Sequence, residues 1–242
     1  MKFVLVAALF AATIVPSVPV AAGSSSTELG SKRAMGAGQA WSWVRRDANG
    51  KPVAFGLSFS ESALRGLGAA GREIVLPLPG GTGLRYQTAV INWNPQGHPP
   101  AHVYDVPHFD FHFYAIDEAT RMAIAPTGPL AKATPAPHQV PSGFVTDGET
   151  VPMMGKHYVP ASAPEFHGGR FTATPIYGYY GGRPIFIESM VTLETLRART
   201  LHDAALPQPA RNGIGGARPT RWSVRYDRAT HRYDVAFEGL TS

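Results

Sequence analysis

The chain of 242 residues contains no cysteine, which excludes a disulfide framework, a thiolate metal site and a lipid anchor on an N-terminal cysteine. After the N-terminus, no segment approaches the roughly 20 apolar residues that a membrane-spanning helix needs. Charged residues make up only 16% of the chain, and the arginines behind its net charge of +5 are scattered. We therefore expect no nucleic-acid partner, because such a site needs clustered basic residues. Stability must come from a core, from assembly, or from an ion bound by nitrogen and oxygen.

The N-terminal segment, residues 1–22, has the pattern of a secretory signal peptide. It reads MKFVLVAALFAATIVPSVPVAA, with a basic residue near its start, an apolar run and small residues at its end. Pro16 and Pro19 interrupt the apolar run before it is long enough to span a membrane. We expect cleavage after Ala22, and hence a periplasmic or secreted protein.

The remaining chain is expected to form one β-rich domain. Residues 23–39 are rich in serine and glycine and predict a flexible leader, so the domain is assigned to residues 40–242. Segments typical of strands alternate with turn residues over most of this length, and several connections are rich in proline. The expected fold is mainly β, an antiparallel β-barrel or sandwich with a few short helices and long proline-rich loops.

Turn residues predict where the strands reverse. Asn49-Gly50 and Gly181-Gly182 each lie between two strand-like segments and predict β-hairpins, and a third hairpin is expected to turn at residues 228–229. One brief helix is predicted over residues 60–67, with Ser60 as its N-terminal cap. Another helix of about two turns is predicted to follow Thr192.

The octapeptide PHFDFHFY, residues 107–114, alternates phenylalanine with polar side chains. In a strand the phenylalanines share the core face, while His108, Asp110, His112 and Tyr114 share the other. Two imidazoles and a carboxylate suit the binding of a cation or the transfer of a proton. At about 3.3 Å per residue, the two histidines lie ~13 Å apart, and each lies ~7 Å from the aspartate. The two histidines are therefore expected to act in different places, with Asp110 and His112 as the stronger pair.

Histidines in the flanking loops are the candidates to complete this site. His98 and His102 precede the strand in a proline-rich loop, and His157 lies in another loop beside Met153 and Met154. Three nitrogen ligands and an open position suit a zinc-like divalent ion, and the methionines keep copper as an alternative. The sequence contains neither H-E-x-x-H nor H-x-H, so the pattern does not specify a known type of site.

Glu188 is a candidate through the second hairpin. Counting back from a two-residue Gly-Gly turn places Pro175 opposite Glu188 and Tyr177 opposite Phe186. Glu188 then shares its face with Tyr177, Phe186 and Met190. A carboxylate among such side chains is disfavoured as a bare charge, so it should be paired, metal-bound or protonated.

Three segments resemble a family of uncharacterised bacterial secreted proteins that carry a domain of unknown function. They read GHPPAHVYDVPHFDFHFY, MGKHYV and FTATPIYGYYGGRPIFIESM, and the resemblance covers residues 93–192. Ser189 stands where the family pattern has proline. The resemblance implies a β-rich fold, adds ring assembly as an expectation, and supports the same group of histidines and carboxylates without supplying a reaction.

Two functions are compatible with these residues. The first is an exported metal-binding protein, with a metal-dependent hydrolase or lyase as its more specific form. In it Asp110, His112 and a loop histidine bind the ion, and Glu188 or Asp110 transfers protons. His108 is the more doubtful ligand. The second is a non-catalytic protein of the envelope stress response that binds a small ligand or forms a homo-oligomeric ring. In that case the polar face is a structural hydrogen-bond network or an interface.

Overall fold

A computed structural model describes residues 24–241, and the predicted signal peptide lies outside them. The described chain is mainly β, as predicted, and it forms two antiparallel sheets. Their strands in chain order are β1 (Ser26–Leu29), β2 (Arg33–Met35), β3 (Gly38–Arg46), β4 (Pro52–Ser60), β5 (Arg72–Pro77), β6 (Thr88–Asn94), β7 (His108–Tyr114), β8 (Phe144–Val145), β9 (Lys156–Pro160), β10 (Ala173–Tyr180), β11 (Arg183–Thr192), β12 (His202–Ala205), β13 (Arg221–Asp227) and β14 (Arg232–Glu238).

The first sheet has the order β1-β3-β4-β14-β13-β12, with β2 also paired to β3, and the second has the order β5-β6-β7-β11-β10-β9-β8. The α-helices are short: α1 (Glu118–Met122), α2 (Pro129–Lys132) and α3 (Leu193–Arg197). Short 3-10 helices cover Glu61–Leu64, Pro137–Gln139 and Pro164–His167. The two sheets do not close on each other over residues 24–241, so the sandwich is the form of the predicted fold that occurs. No helix in this range is both long and apolar enough to cross a membrane.

The three predicted hairpins are present. β3 pairs with β4 across the Asn49-Gly50 turn, β10 with β11 across Gly181-Gly182, and β13 with β14 across residues 228–231. Both central glycines of the second turn have positive φ, at 58° and 72°, which only glycine adopts without strain. The turn residues were therefore a sufficient signal for these three reversals.

The flexible leader is wrong for residues 24–39. β1 pairs with β3 along its whole length, and β2 pairs with the first residues of β3. Arg46 of β3 donates to Glu28 at 2.6 Å, and Met35 is buried in the core. The serine and glycine content suggested a linker, but pairing at a sheet edge depends on backbone N–H and C=O groups, which every such residue supplies.

The two predicted helices had different outcomes. The first is a 3-10 turn over Glu61–Leu64 rather than a helix over residues 60–67, and Ser60 does not cap it. The Ser60 hydroxyl instead accepts a hydrogen bond from the backbone N–H of Gln39 at 3.2 Å. The second is α3, and Thr192 caps it by accepting from the backbone N–H of Thr195 at 3.1 Å, as expected.

The phenylalanine face of β7 forms the core between the sheets. Phe111 stacks on Phe59 of the first sheet with ring centroids 5.8 Å apart, and Phe113 meets Phe55 edge-on at 5.4 Å. Phe109 is equally buried in the same cluster. Each such side chain contributes about 1.5–3 kcal/mol through its burial, so this face fixes the register of β7.

The opposite face of the second sheet is covered as well. Loop residues between β6 and β7 and between β9 and β10 pack on it and form a second apolar cluster, which includes Tyr104, Phe171, Phe186 and Met190. All seven residues of β7 are buried. The polar side chains of β7 therefore lie in a largely dry layer between the sheet and these loops.

Candidate metal centre

The first of two groups of metal-ligating side chains consists of His98, His108 and Asp110, called the first triad below. His108 and Asp110 point to the covered face of β7, and His98 comes from the proline-rich loop before it. Asp110 Oδ1 lies 3.1 Å from His108 Nε2, and Asp110 Oδ2 lies 3.7 Å from His98 Nε2. His108 is fully buried, whereas 36% of the His98 side chain is exposed. Solvent thus approaches this triad beside His98.

Backbone carbonyls fix the orientation of both imidazoles in the first triad. His108 Nδ1 lies 2.7 Å from the carbonyl oxygen of Val106, and His98 Nδ1 lies 2.8 Å from that of Pro99. A carbonyl only accepts, so each Nδ1 carries the proton and donates it. In the neutral rings, both Nε2 lone pairs then face Asp110. This is the arrangement in which metal-ligating histidines are usually held.

The second triad consists of His112, His157 and Glu188, on strands β7, β9 and β11 of the second sheet, with β10 between β9 and β11. Glu188 is directly opposite His112 in the β7–β11 ladder. Its Oε2 lies 3.3 Å from His112 Nε2 and 3.7 Å from His157 Nε2. His112 and Glu188 are buried, and 24% of the His157 side chain is exposed. Three side chains from one sheet therefore converge on one point.

Three of the four contacts within the triads are longer than a typical hydrogen bond, whereas the His108–Asp110 contact is within hydrogen-bond range. An N–H···O bond is typically ~2.9 Å long, whereas two ligands bonded at ~2.1 Å to one tetrahedral zinc ion lie ~3.4 Å apart. The four contacts measure 3.1, 3.7, 3.3 and 3.7 Å. In each triad all three ligand atoms lie within 4.8 Å of one another.

Buried atoms in both triads also lack partners. Among residues 24–241, no hydrogen bond reaches His108 Nε2, Asp110 Oδ1, either ring nitrogen of His112, or Glu188 Oε2. Buried polar atoms in proteins are nearly always paired, so such a concentration requires a physical reason. One cation in each triad would satisfy all of these atoms except His112 Nδ1.

The buried environment keeps the second triad uncharged. Burial lowers the pKa of His112 to about 3 and that of His157 to about 4, so both imidazoles are neutral at pH 7. Burial raises the pKa of Glu188 well above its ordinary value, and the negative charge of Asp110 adds to this effect. Neutral imidazoles are the form that binds a metal, and a bound cation would displace the proton from Glu188.

The first triad holds its carboxylate in the charged form. Burial alone would raise the pKa of Asp110, but contacts with His108 and His98 outweigh it and bring that pKa below its ordinary value. Burial likewise opposes protonation of His98, and its contact with Asp110 overcomes this and raises the pKa of His98. Asn94 on β6 also donates to Asp110 Oδ2 at 2.7 Å.

The structure separates the two strand histidines, as their spacing along β7 predicted. It does not bring Asp110 together with His112, however, because the carboxylate of Asp110 lies against His108 on the same strand and His98 in the preceding loop. His112 instead lies beside Glu188 across the β7–β11 ladder. Asp110 contacts His98 and His108, so His108, the doubtful candidate, belongs to a triad.

The remaining predicted ligands have mixed outcomes. His102 lies outside both triads, and 96% of its side chain is exposed. His157 is in a triad but lies on β9 rather than in a loop. Met154 packs against the second apolar cluster, on the covered face of the second sheet. Copper binding by the methionines stays a prediction.

The expected pairing around Glu188 is wrong by one residue. A bulge between Gly178 and Tyr179 shifts the β10–β11 register, so Ile176 rather than Pro175 lies opposite Glu188. Tyr177 consequently points to the core between the sheets. Glu188 still shares its face with Phe186 and Met190, as expected, because these residues lie on the same strand.

Two residues near the first triad were not predicted from the sequence. Asn94 supports Asp110 through its amide, and the Asn94–His108 pairing of β6 and β7 places it there. Tyr104 is buried next to His98, with ring centroids 5.8 Å apart. A polar residue at the end of the strand preceding β7 was the available signal for Asn94, whereas the loop around Tyr104 follows no periodic pattern.

Comparison of the chain with models of known protein families, with curated proteins and with solved structures found no match in any of the three.

Proposed function

We propose that this protein is an exported metal-binding protein in which each triad binds one divalent ion of the zinc type. One observation carries the proposal: two sets of two imidazoles and one carboxylate lie at coordination distances and include buried atoms without partners among residues 24–241. The N-terminal pattern of residues 1–22 supports export. The His₂-carboxylate donor set is one that zinc and non-haem iron share, and the carboxylate offsets part of the ion's charge.

The same donor set supports a hydrolase or lyase. Three protein ligands leave a coordination position open, and an ion there would lower the pKa of a bound water. His98 and His157 are the partly exposed ligands, so they mark the sides from which a substrate would approach. In the second triad Glu188 Oε2 contacts both imidazoles, and Oε1 is the oxygen that would accept a proton.

Elemental analysis of protein purified without an affinity tag tests the binding. After reloading with zinc and dialysis, we expect close to two ions per wild-type chain. His108→Gln and His112→Gln should each remove one ion, because each disables a different triad. His102→Asn is the matched control, since His102 is exposed, and it should retain both ions. Wild-type protein that retains no zinc would refute the proposal.

The non-catalytic alternative predicts a different result in the same experiment. If the polar layer is only an interface or a structural network, His112→Gln should change the assembly mass in solution while the zinc content stays at zero. Size-exclusion chromatography with light scattering on the same samples measures this mass and separates the two functions.

A further inference from the structure

Tyr104 is a buried polar residue that the metal proposal leaves unused. It is only 3% exposed, and its ring meets His98 edge-on at 5.8 Å and Phe171 at 4.9 Å between centroids. Its hydroxyl makes no hydrogen bond within the described part of the chain. A buried hydroxyl without a partner costs free energy, so this donor is expected to have an acceptor in the working protein.

The charge of the occupied triads indicates the kind of acceptor. A divalent ion, two neutral imidazoles and one carboxylate leave each triad with one net positive charge. The carboxylates of Glu73 and Glu118 already pair with Arg121, a buried cation of this region, so they do not offset the charge of the triads. Uncompensated positive charge in a dry layer is costly, so an anion at the open coordination position would be strongly favoured.

We propose that the first triad, once occupied, binds a small oxyanion at its open position and that the Tyr104 hydroxyl donates a hydrogen bond to it. The inference rests on the proposed metal binding. The carboxylate or phosphate group of a substrate supplies the required chemistry, since one oxygen binds the ion and another accepts from the hydroxyl. Tyr104 is then a substrate-binding residue that leaves metal affinity unchanged.

Glu165 is the competing acceptor for this hydroxyl. It is buried in the same layer, and its charge adds to burial in raising the pKa of Tyr104. The hydroxyl of Thr174, however, already donates to its Oε1. If Glu165 is the true partner of Tyr104, loss of the hydroxyl has no effect on anion binding. The two assignments therefore differ in a measurable quantity.

The test uses the full chain carrying His112→Gln, in which only the first triad can bind an ion, loaded with Co²⁺, whose visible spectrum reports the ligands of the ion. Inorganic phosphate and acetate are titrated separately, and each is expected to change the spectrum saturably; the tighter of the two identifies the group on the natural ligand. Tyr104→Phe should raise the dissociation constant about tenfold, or ~1.4 kcal/mol, without changing the cobalt content. Tyr86→Phe is the matched control, because Tyr86 is buried in the core between the sheets, on the other face of the second sheet.

Each possible failure has its own signature. A chain that binds no cobalt refutes the metal proposal itself. A cobalt-loaded chain whose spectrum is unchanged by tens of millimolar phosphate and acetate refutes the oxyanion site alone. Equal anion affinity in Tyr104→Phe and in the parent His112→Gln chain, with the spectrum still responsive, assigns the hydroxyl to Glu165 and overturns the role of Tyr104.

Discussion

Replacing His112 by leucine should stabilise the metal-free protein, although His112 is fully buried at the centre of the second sheet. Both of its ring nitrogens lack hydrogen-bond partners among the described residues. A buried polar group left without a partner costs about 1–3 kcal/mol, and leucine removes both nitrogens while filling a similar volume. Its ring neighbours, Tyr114 at 5.5 Å and Phe186 at 4.8 Å, are apolar surfaces that leucine can contact.

We therefore expect the free energy of unfolding of His112→Leu to exceed that of wild type by about 1–3 kcal/mol in the presence of a chelator. Zinc should reverse the order. Free zinc at 1,000 times the dissociation constant of the site adds ~4.1 kcal/mol to the wild type, more than the about 1–3 kcal/mol that leucine contributes, and the variant lacks that site. The ion in the first triad stabilises both proteins equally and cancels in the comparison.

Urea unfolding followed by tryptophan fluorescence, with chelator and with excess zinc, measures these differences. Phe111→Leu is the matched control, because Phe111 is buried on the opposite face of the same strand and its loss should destabilise the protein equally in both conditions. A variant His112→Leu that is less stable than wild type by more than about 1 kcal/mol in chelator would show that His112 is a well-paired structural residue. That result would contradict the assignment of the second triad.

Three further predictions concern the two triads. Asn94→Ala should weaken zinc binding at the first triad about 10- to 100-fold, because it removes the 2.7 Å hydrogen bond to Asp110. Asn92→Ala is the control and should leave zinc binding unchanged, because it loses only a 3.3 Å contact with an exposed glutamate. Competition with a chromophoric chelator measures the zinc affinity of both variants. Gly178→Ala should release the second ion selectively, as counted by native mass spectrometry, because the added Cβ would lie 1.9 Å from the Phe186 ring that packs on both imidazoles. The metal-free protein should lose stability as the pH falls from about 6.5 toward 4. The imidazoles of His112 and His157, with pKa values of about 3 and about 4, stay neutral in the folded chain, while the same two residues take up two protons in the unfolded chain. Glu188 opposes this effect by one proton, because its raised pKa keeps it protonated in the folded chain. Thermal unfolding across this range should show a rising melting temperature with pH, and a flat profile would contradict the pKa assignment.

Much of the fold could be predicted from local signals. Gly-Gly and Asn-Gly pairs specify hairpin turns through the backbone conformations they allow, and the cap at Thr192 uses its own hydroxyl. The strands β1 and β2 were missed because pairing at a sheet edge uses backbone groups, so it does not require a particular amino-acid composition of the segment. The bulge at Gly178 was also missed, since nothing in the spacing distinguishes a regular ladder from one with an extra residue.

The candidate site could be predicted only in part. The alternation in PHFDFHFY was enough to nominate His108, Asp110 and His112, and the rise per residue was enough to separate the two histidines. The sequence pattern did not indicate which carboxylate contacts which histidine. Glu188 meets His112 because β11 lies beside β7, and that adjacency joins segments about 75 residues apart along the chain.

The sequence by itself determined a β protein with three specified turns, a strand with one apolar and one polar face, and a set of histidine and carboxylate side chains that could ligate a metal without cysteine. Those properties depend on single residues and short spacings, so the local sequence pattern is enough to predict them. Only the tertiary structure decided that the polar face is buried, that the ligands divide into two triads, and that His102 belongs to neither. Strand order and loop coverage arise from contacts between distant segments, and these contacts bury the donor atoms of both triads.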